Sequence, residues 1–289
     1  MGDILLLADT RDISFSKDSI TFTILSGALM AVIPVVFFIV MRKFTKFKVK
    51  PMITGAVVWF IFAILLKVLL LTPVIGMDNS VSKAVKGNVW LYYFVAASAA
   101  GIFEETGRFI AFRTVLKRCD DKSDALSYGL GHGGFESVYI GIQVAFLGIM
   151  AAMVNKGGIE SVAKGADDSV IDSLLAQMDK LMSGDIGHAL LVGYERIPAV
   201  LVHIVFSVIV FAAVRQRKTG LYFLAVFLHF AVDFSLVLYY AKIVSLGVTE
   251  IIFTLEAILI AVLTNKLLYK KLYNISYERK MADGISGNI

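Results

Sequence analysis

Long apolar blocks restrict what this chain can fold into more than any other feature of its sequence. About 20 predominantly apolar residues suffice to cross the hydrocarbon core of a bilayer. Stretches that reach or approach this length run over residues 20–41, 52–72, 88–112, 125–154, 194–214, 221–241 and 251–264. With 58% hydrophobic and 18% charged residues among 289, the chain is too apolar for an ordinary soluble domain. The expected fold is all-α: a polytopic membrane bundle of about seven transmembrane helices, forming a single integral membrane domain over 1–289. The start of the chain does not read as a secretory signal, because its apolar run ILLLA is short and flanked by acidic residues. Cys119 is the one cysteine, which excludes an intrachain disulfide.

Basic residues sort to alternate ends of these blocks. Arg42, Lys43, Lys46, Lys48 and Lys50 follow the first, and Arg113, Lys117, Arg118 and Lys122 the third. Arg215, Arg217 and Lys218 follow the fifth, and Lys266, Lys270, Lys271, Arg279 and Lys280 the last. The positive-inside rule then predicts an external N-terminus and a cytoplasmic C-terminus. The formal charge of +5 is thus a topology signal, and no nucleic-acid partner is expected. The external loop over about 155–193 contains SVIDSLLAQMDKLM, whose apolar spacing predicts an amphipathic helix. Such a helix lies on the membrane, caps the bundle or covers a substrate entrance. The YGLGHGG stretch predicts a re-entrant or distorted start to the fourth span, or close helix approach.

An ionisable residue in hydrocarbon costs a few kcal/mol, so each needs a partner or a purpose. Lys67 is read as snorkelling to the outer surface, without a functional role. The remainder are Glu104, Glu105 and Arg108 on span three, His132 and Glu136 on span four, Glu195, Arg196 and His203 on span five, His229 and Asp233 on span six, and Glu256 on span seven. His132 with Glu136, and His229 with Asp233, lie four apart and share a helix face. At ~1.5 Å per residue from the cytoplasmic ends, Glu104, His132, Glu136, His203, His229 and Asp233 all fall roughly 10–18 Å deep. Helices running in opposite directions bring them to one level, which predicts a single buried polar cluster across spans three to six, the core region of about 88–241. Glu256 stands alone on its helix and is left outside this set.

Acids and imidazoles in a dry pocket suit water activation: a carboxylate serves as base and a histidine donates to a developing oxyanion. Intramembrane carboxylates and histidines also build proton relays, so a proton-coupled transporter is a competing reading. A zinc site is a third, although the helical HExxH signature is missing.

The segments EETGR, GHGGFE, ERIPAVLVH and HFAVD resemble the motif series of the YhfC-type intramembrane peptidases, relatives of the PrsW and CAAX-protease/ABI (CPBP) glutamic proteases. The resemblance spans spans three to six. It implies a bacterial plasma-membrane, multi-pass endopeptidase acting on a membrane protein or peptide within the lipid bilayer. Glu104 would activate water, with Glu105 and Arg108 in support. Glu136 and His203 match the second and third motifs, and His229 and Asp233 the closing HxxxD, which would hold the water or the oxyanion. His132 and Arg196 have supporting roles. No cofactor is required on this reading. Were zinc used, His203, His229, Asp233 and Glu136 would be its ligands. The same superfamily includes a non-catalytic scaffold, so a scaffold or immunity-type protein is the other alternative.

Overall fold

The computed structural model describes residues 13–182, 184 and 186–270. The ILLLA run and Lys271, Arg279 and Lys280 lie outside the described residues. In chain order the helices are α1 (Lys17–Phe44), α2 (Val49–Trp59), α3 (Lys67–Leu71), α4 (Ser80–Lys86), α5 (Val89–Arg113), α6 (Lys122–Gly157), α7 (Glu160–Ala163), α8 (Asp168–Met182), α9 (Ile186–Tyr194), α10 (Arg196–Arg215), α11 (Thr219–Ser235), α12 (Val237–Tyr240) and α13 (Leu246–Thr264). Wider π-helical turns at Phe60–Leu66 and Thr72–Gly76 continue α2 and α3, and another at Asn265–Tyr269 extends α13. Among the described residues there is no strand.

Six continuous helical stretches are long and apolar enough to cross a membrane: Lys17–Phe44, Val49–Gly76, Lys122–Gly157, Ile186–Arg215, Thr219–Tyr240 and Leu246–Tyr269. They correspond to six of the seven expected spans. The exception is α5, which has the length, 25 residues, but not the apolarity. Glu104, Glu105 and Arg108 lie within it, and all three are buried. The boundaries also shift. The fifth span starts at Ile186 rather than at 194, because α9 runs almost directly into α10. The last, short at 251–264 and open to extension toward Leu268, reaches Tyr269. α6 is one continuous helix through YGLGHGG, not a distorted or re-entrant entrance. Its glycines serve close approach: a Cβ on Gly131 would lie 1.9 Å from the Met52 carbonyl oxygen, and one on Gly129 2.4 Å from Ile204 Cα.

The chain divides into two compact units, one over 1–33 and 137–196 and the other over 34–136 and 197–289. In the first, α1 and the latter part of α6 cross at Gly27 and Gly141, each of which would place a Cβ within 2.5 Å of the other's carbonyl oxygen. Small residues at such crossings let helix backbones meet where no hydrophobic effect separates protein from lipid. Ser137 Oγ donates to the Met30 carbonyl at 2.7 Å, and Asn155 exchanges two hydrogen bonds with the Phe15 backbone. The expected amphipathic helix forms as α8. Its Leu175, Met178 and Met182 are buried with Ile20, Ala151, Val154 and Ile159, so this face covers the helices of its own unit.

The second unit has its core on α10, where Val200, Phe206, Val210 and Ala212 are fully buried. Phe112 and Tyr128 pack against it, with the Tyr128 and Phe211 ring centroids 4.7 and 5.3 Å from that of Phe112. Arg215, beyond a topology marker, closes the end of α5. Its guanidinium donates to the carbonyls of Phe112, Leu116 and Cys119 at 2.7–3.2 Å and pairs with Asp120 at 2.9 Å. Those carbonyls include ones that a helix end leaves without partners. Lys48 pairs with the buried Asp124 at 2.9 Å, tying the start of α6 to the start of α2.

Because Met52 O is backbone, Gly131→Val cannot be absorbed by a side-chain movement. It is expected to lower stability by about 1–3 kcal/mol, as overpacking does, and thermal unfolding in detergent micelles will measure the loss.

Candidate functional site

Four helices of the second unit supply a single polar centre, and Lys67 at the start of α3 reaches it. α5 contributes Glu104, Glu105 and Arg108, α6 contributes His132 and Glu136, α10 contributes His203, and α11 contributes His229 and Asp233. The glycines fix the approach. A Cβ on Gly101 of α5 would lie 2.7 Å from the Val226 carbonyl oxygen of α11, and one on Gly133 2.8 Å from His203 Cβ. Larger residues there would push α11 and α10 away from the carboxylates they serve.

Glu105 and Arg108, one turn apart, form an ion pair with both side chains fully buried. Glu105 Oε1 also accepts from His229 Nδ1 at 2.6 Å. The other side of the guanidinium, Nη2, lies 2.7 Å from His203 Nδ1. A guanidinium can only donate, so His203 Nδ1 must accept and the ring proton resides on Nε2. That Nε2 lies 2.7 Å from Glu136 Oε2. By the same reasoning His229 Nδ1–H donates to Glu105. Its Nε2 therefore faces Asp233 at 3.6 Å and Glu104 at 3.9 Å. Phe206 stacks on the His229 ring at 5.0 Å and holds its plane.

Glu104 is the hub of the other half. Its Oε2 lies 3.0 Å from His132 Nε2, and its Oε1 lies 3.5 Å from Lys67 Nζ. The ring centroids of His132 and His203 are 4.9 Å apart, and those of His203 and His229 5.5 Å. Exposure is graded: the side chains of Glu105, Arg108 and His132 are at 0%, whereas Glu136 is at 16% and Asp233 at 36%. Glu136 and Asp233 thus mark the open edge of the centre.

The residues expected to meet do meet: Glu104, Glu105, Arg108, His132, Glu136, His203, His229 and Asp233 form one connected set. Arg196 belongs to the other compact unit and pairs with Glu195 at the start of α10. Glu256 hydrogen-bonds Ser235, in keeping with its exclusion from the set. Lys67 is the residue that the sequence reading passed over. A lysine in an otherwise apolar stretch was a usable signal, but snorkelling explains such a residue equally well.

The donors that could hold a metal ion differ from the expected zinc set. Glu104, His132, Glu136 and His203 each offer a ligand atom within 4.8 Å of the others. Glu104 and His132 thus take the places given to His229 and Asp233, because Glu105 and Asp233 engage the two nitrogens of His229. Imidazole and carboxylate are ordinary zinc donors, and a catalytic zinc takes three protein ligands with one position open. Among the described residues His132 Nδ1 has no hydrogen-bond partner, which leaves that nitrogen open to a ligand. His203 Nε2 carries a proton while Arg108 donates to Nδ1, which suits a hydrogen-bond donor better than a ligand. Glu104, His132 and Glu136 are then the three that fit.

A helical bundle of membrane-crossing length around buried carboxylates and imidazoles defines the class: a multi-pass membrane protein with a polar centre set among its helices. A family model described as YhfC intramembrane metalloprotease matches residues 29–253. The Bacillus subtilis (strain 168) protein described as "Uncharacterized membrane protein YhfC" is 30% identical over 246 residues, covering 84% of this chain and 94% of that relative. The chain therefore belongs to the YhfC family, as the motif series implied, and it is a multi-pass bacterial membrane protein. The family's description supports protease activity. No solved structure matches the chain.

Removing Arg108 would strand a buried carboxylate. Arg108→Met is expected to cost about 3–5 kcal/mol of stability, as for one partner of a buried pair. Adding Glu105→Leu to it should return much of that loss, and thermal unfolding of both variants checks the expectation.

Proposed function

We propose that the chain is an intramembrane endopeptidase that hydrolyses a peptide bond in a membrane protein or membrane-associated peptide, with Glu104 as the base that activates water. The observation that carries this reading is the position of Glu104: buried, and shared by His132, His229 and Lys67. α5 is taken as a seventh span, with the N-terminus outside and the C-terminus cytoplasmic, so that the centre lies within the bilayer.

On this reading a water beside Glu104 Oε2 gives its proton to the carboxylate while its oxygen attacks the scissile carbonyl carbon. The carbonyl oxygen becomes an oxyanion, and an N–H donor is needed within hydrogen-bond reach of it. His203 offers one at Nε2, where Glu136 also faces it, with Arg108 holding the ring from the far side at Nδ1. His229 offers another when Nε2 is protonated between Asp233 and Glu104. Collapse of the tetrahedral species breaks the C–N bond, and Glu104 returns its proton to the leaving amine. The products are a carboxylate and an ammonium group, the carboxyl proton passing to the amine. Glu105 and Arg108 take no part in bond making. They hold the two imidazoles in the tautomers that face the reacting atoms. Glu136 and Asp233, at the open edge, are the side chains an approaching peptide meets first.

The metalloprotease version has one specific observation in its favour, the convergence of Glu104, His132, Glu136 and His203. Charge balance supports it as well. With its four carboxylates ionised and its histidines neutral, the centre holds four negative charges against Lys67 and Arg108, an excess of two that a divalent ion would offset. Glu104, His132 and Glu136 would hold zinc, which when bound would polarise the carbonyl and acidify water.

The test uses purified protein in liposomes with a panel of fluorogenic single-span peptides. Glu104→Gln is expected to lower cleavage by at least about 100-fold, the usual scale for a general base, and His229→Ala should also lower it. Wild-type cleavage in both variants refutes the assigned site. Zinc bound one per chain and lost in both His132→Ala and Glu136→Gln decides for the metal version. Activity at full level after chelation, without bound metal, decides for glutamate.

A further inference from the structure

We infer that Lys67 is a positioning residue of the Glu104 centre: its ammonium holds one oxygen of the Glu104 carboxylate so that the other is turned to the histidines. This deepens the peptidase reading and rests on it for its kinetic consequence.

Lys67 follows directly on the π-helical turns of Phe60–Leu66. Around it the stretch faces outward, with Leu65, Val68, Leu69 and Leu70 between 52% and 68% exposed. A lysine that snorkelled would run along the helix toward the surface. The Lys67 side chain is instead 25% exposed, and its nitrogen ends 3.5 Å from Glu104 Oε1. Among the described residues, Glu104 is its carboxylate partner.

The π turns explain how a residue on a lipid-facing stretch comes to point inward. Trp59 and Ala63 are buried at 3% and 1%, and Lys67 continues the same four-residue spacing. On an α-helix of 3.6 residues per turn, such a row drifts steadily around the surface. A π turn spans more residues, so the row stays on one side. Without the π segment Lys67 would rotate away from α5 and toward lipid. Short π segments of this kind recur at functional sites.

The two Glu104 oxygens thereby acquire different surroundings. Oε1 faces a cation that can only donate. Oε2 faces His132 Nε2 at 3.0 Å and His229 Nε2 at 3.9 Å. A carboxylate held at one oxygen cannot rotate freely, so the lone pairs of the other stay aimed at the space between the imidazoles. Arg108 cannot do this for Glu104, because its guanidinium is committed to Glu105 and His203.

The test combines a pairing measurement with kinetics. Thermal midpoints are measured for wild type, Lys67→Met, Glu104→Gln and the double variant in detergent micelles. If Lys67 holds Glu104, Lys67→Met shifts the midpoint less in the Glu104→Gln background than in the wild type. Equal shifts in the two backgrounds overturn the pairing. On the single-span peptide panel, Lys67→Met is expected to lower kcat about 10- to 100-fold, the scale for residues that orient a reacting group, with KM unchanged. Lys67→Arg should recover most of kcat. Unchanged kcat in Lys67→Met, or a loss confined to KM, overturns the positioning role. If the wild type cleaves no peptide of the panel, the peptidase reading fails by itself and the melting comparison still decides whether Lys67 holds Glu104.

Discussion

A charge in a medium of low dielectric interacts with its neighbours far more strongly than it would in water, and it also lacks the water that would otherwise solvate it. Glu105 and Arg108 meet this constraint together, one turn apart on α5 with both side chains fully buried. Neither can be removed or turned without stranding the other. The pair therefore acts as a rigid reference within the bundle, and the rest of the centre is oriented from it. Glu105 Oε1 accepts from His229 on α11, and Arg108 donates to His203 on α10. One ion pair thus decides the protonated nitrogen of two imidazoles on two other helices. Those imidazoles in turn face Glu136, Asp233 and Glu104.

The same pair accounts for the character of α5. A helix carrying two glutamates and an arginine within five residues cannot be as apolar as its neighbours, and it is not among the six stretches that composition marks as membrane-crossing. One face of it is buried by other helices: Ala97, Ala99, Ala100, Gly101, Gly107, Ala111 and Phe112 are covered along with the charges. Small residues dominate that list, because the charged centre requires neighbours at close range. Gly101 admits α11, while Gly133 of α6 admits His203. Packing and electrostatics make the same demand here: helices must approach until donors and acceptors lie within about 3 Å.

Much of this was legible in the sequence. The spacing of His132 with Glu136 and of His229 with Asp233, together with a depth shared by antiparallel helices, pointed to one cluster, and those side chains do converge. The amphipathic stretch at 169–182 formed its helix for the same reason of periodicity. The partners were not legible. Spacing places a residue on a helix face but does not say which of several facing carboxylates it meets, so the expected zinc set shares only Glu136 and His203 with the group that converges. Lys67 was lost for a related reason: its direction depends on π turns, and a run such as FIFAILL has no pattern that separates a π turn from an α turn. The glycines of YGLGHGG suggested a broken backbone because propensity alone disfavours them in a helix. Tertiary contact overrode that preference, since the space each glycine leaves is filled by another helix.

Arg108 then bears on the chemistry more than its place outside the reacting groups suggests. A metal-bound histidine commonly donates its second ring nitrogen to a carboxylate or a carbonyl, which raises its basicity toward the metal. Behind His203 stands a donor instead, and a donor at Nδ1 keeps the proton on Nε2. His203 is thereby equipped to donate a hydrogen bond, the function an oxyanion requires. His132 is arranged otherwise, with one nitrogen on Glu104 and the other without a partner among the described residues. The two histidines lie with ring centres 4.9 Å apart yet are prepared for different tasks by what stands behind them. Under the glutamate reading this is a division between positioning the base and binding the oxyanion. Under the metal reading it is a division between ligand and donor. In both, the difference originates in a fully buried guanidinium.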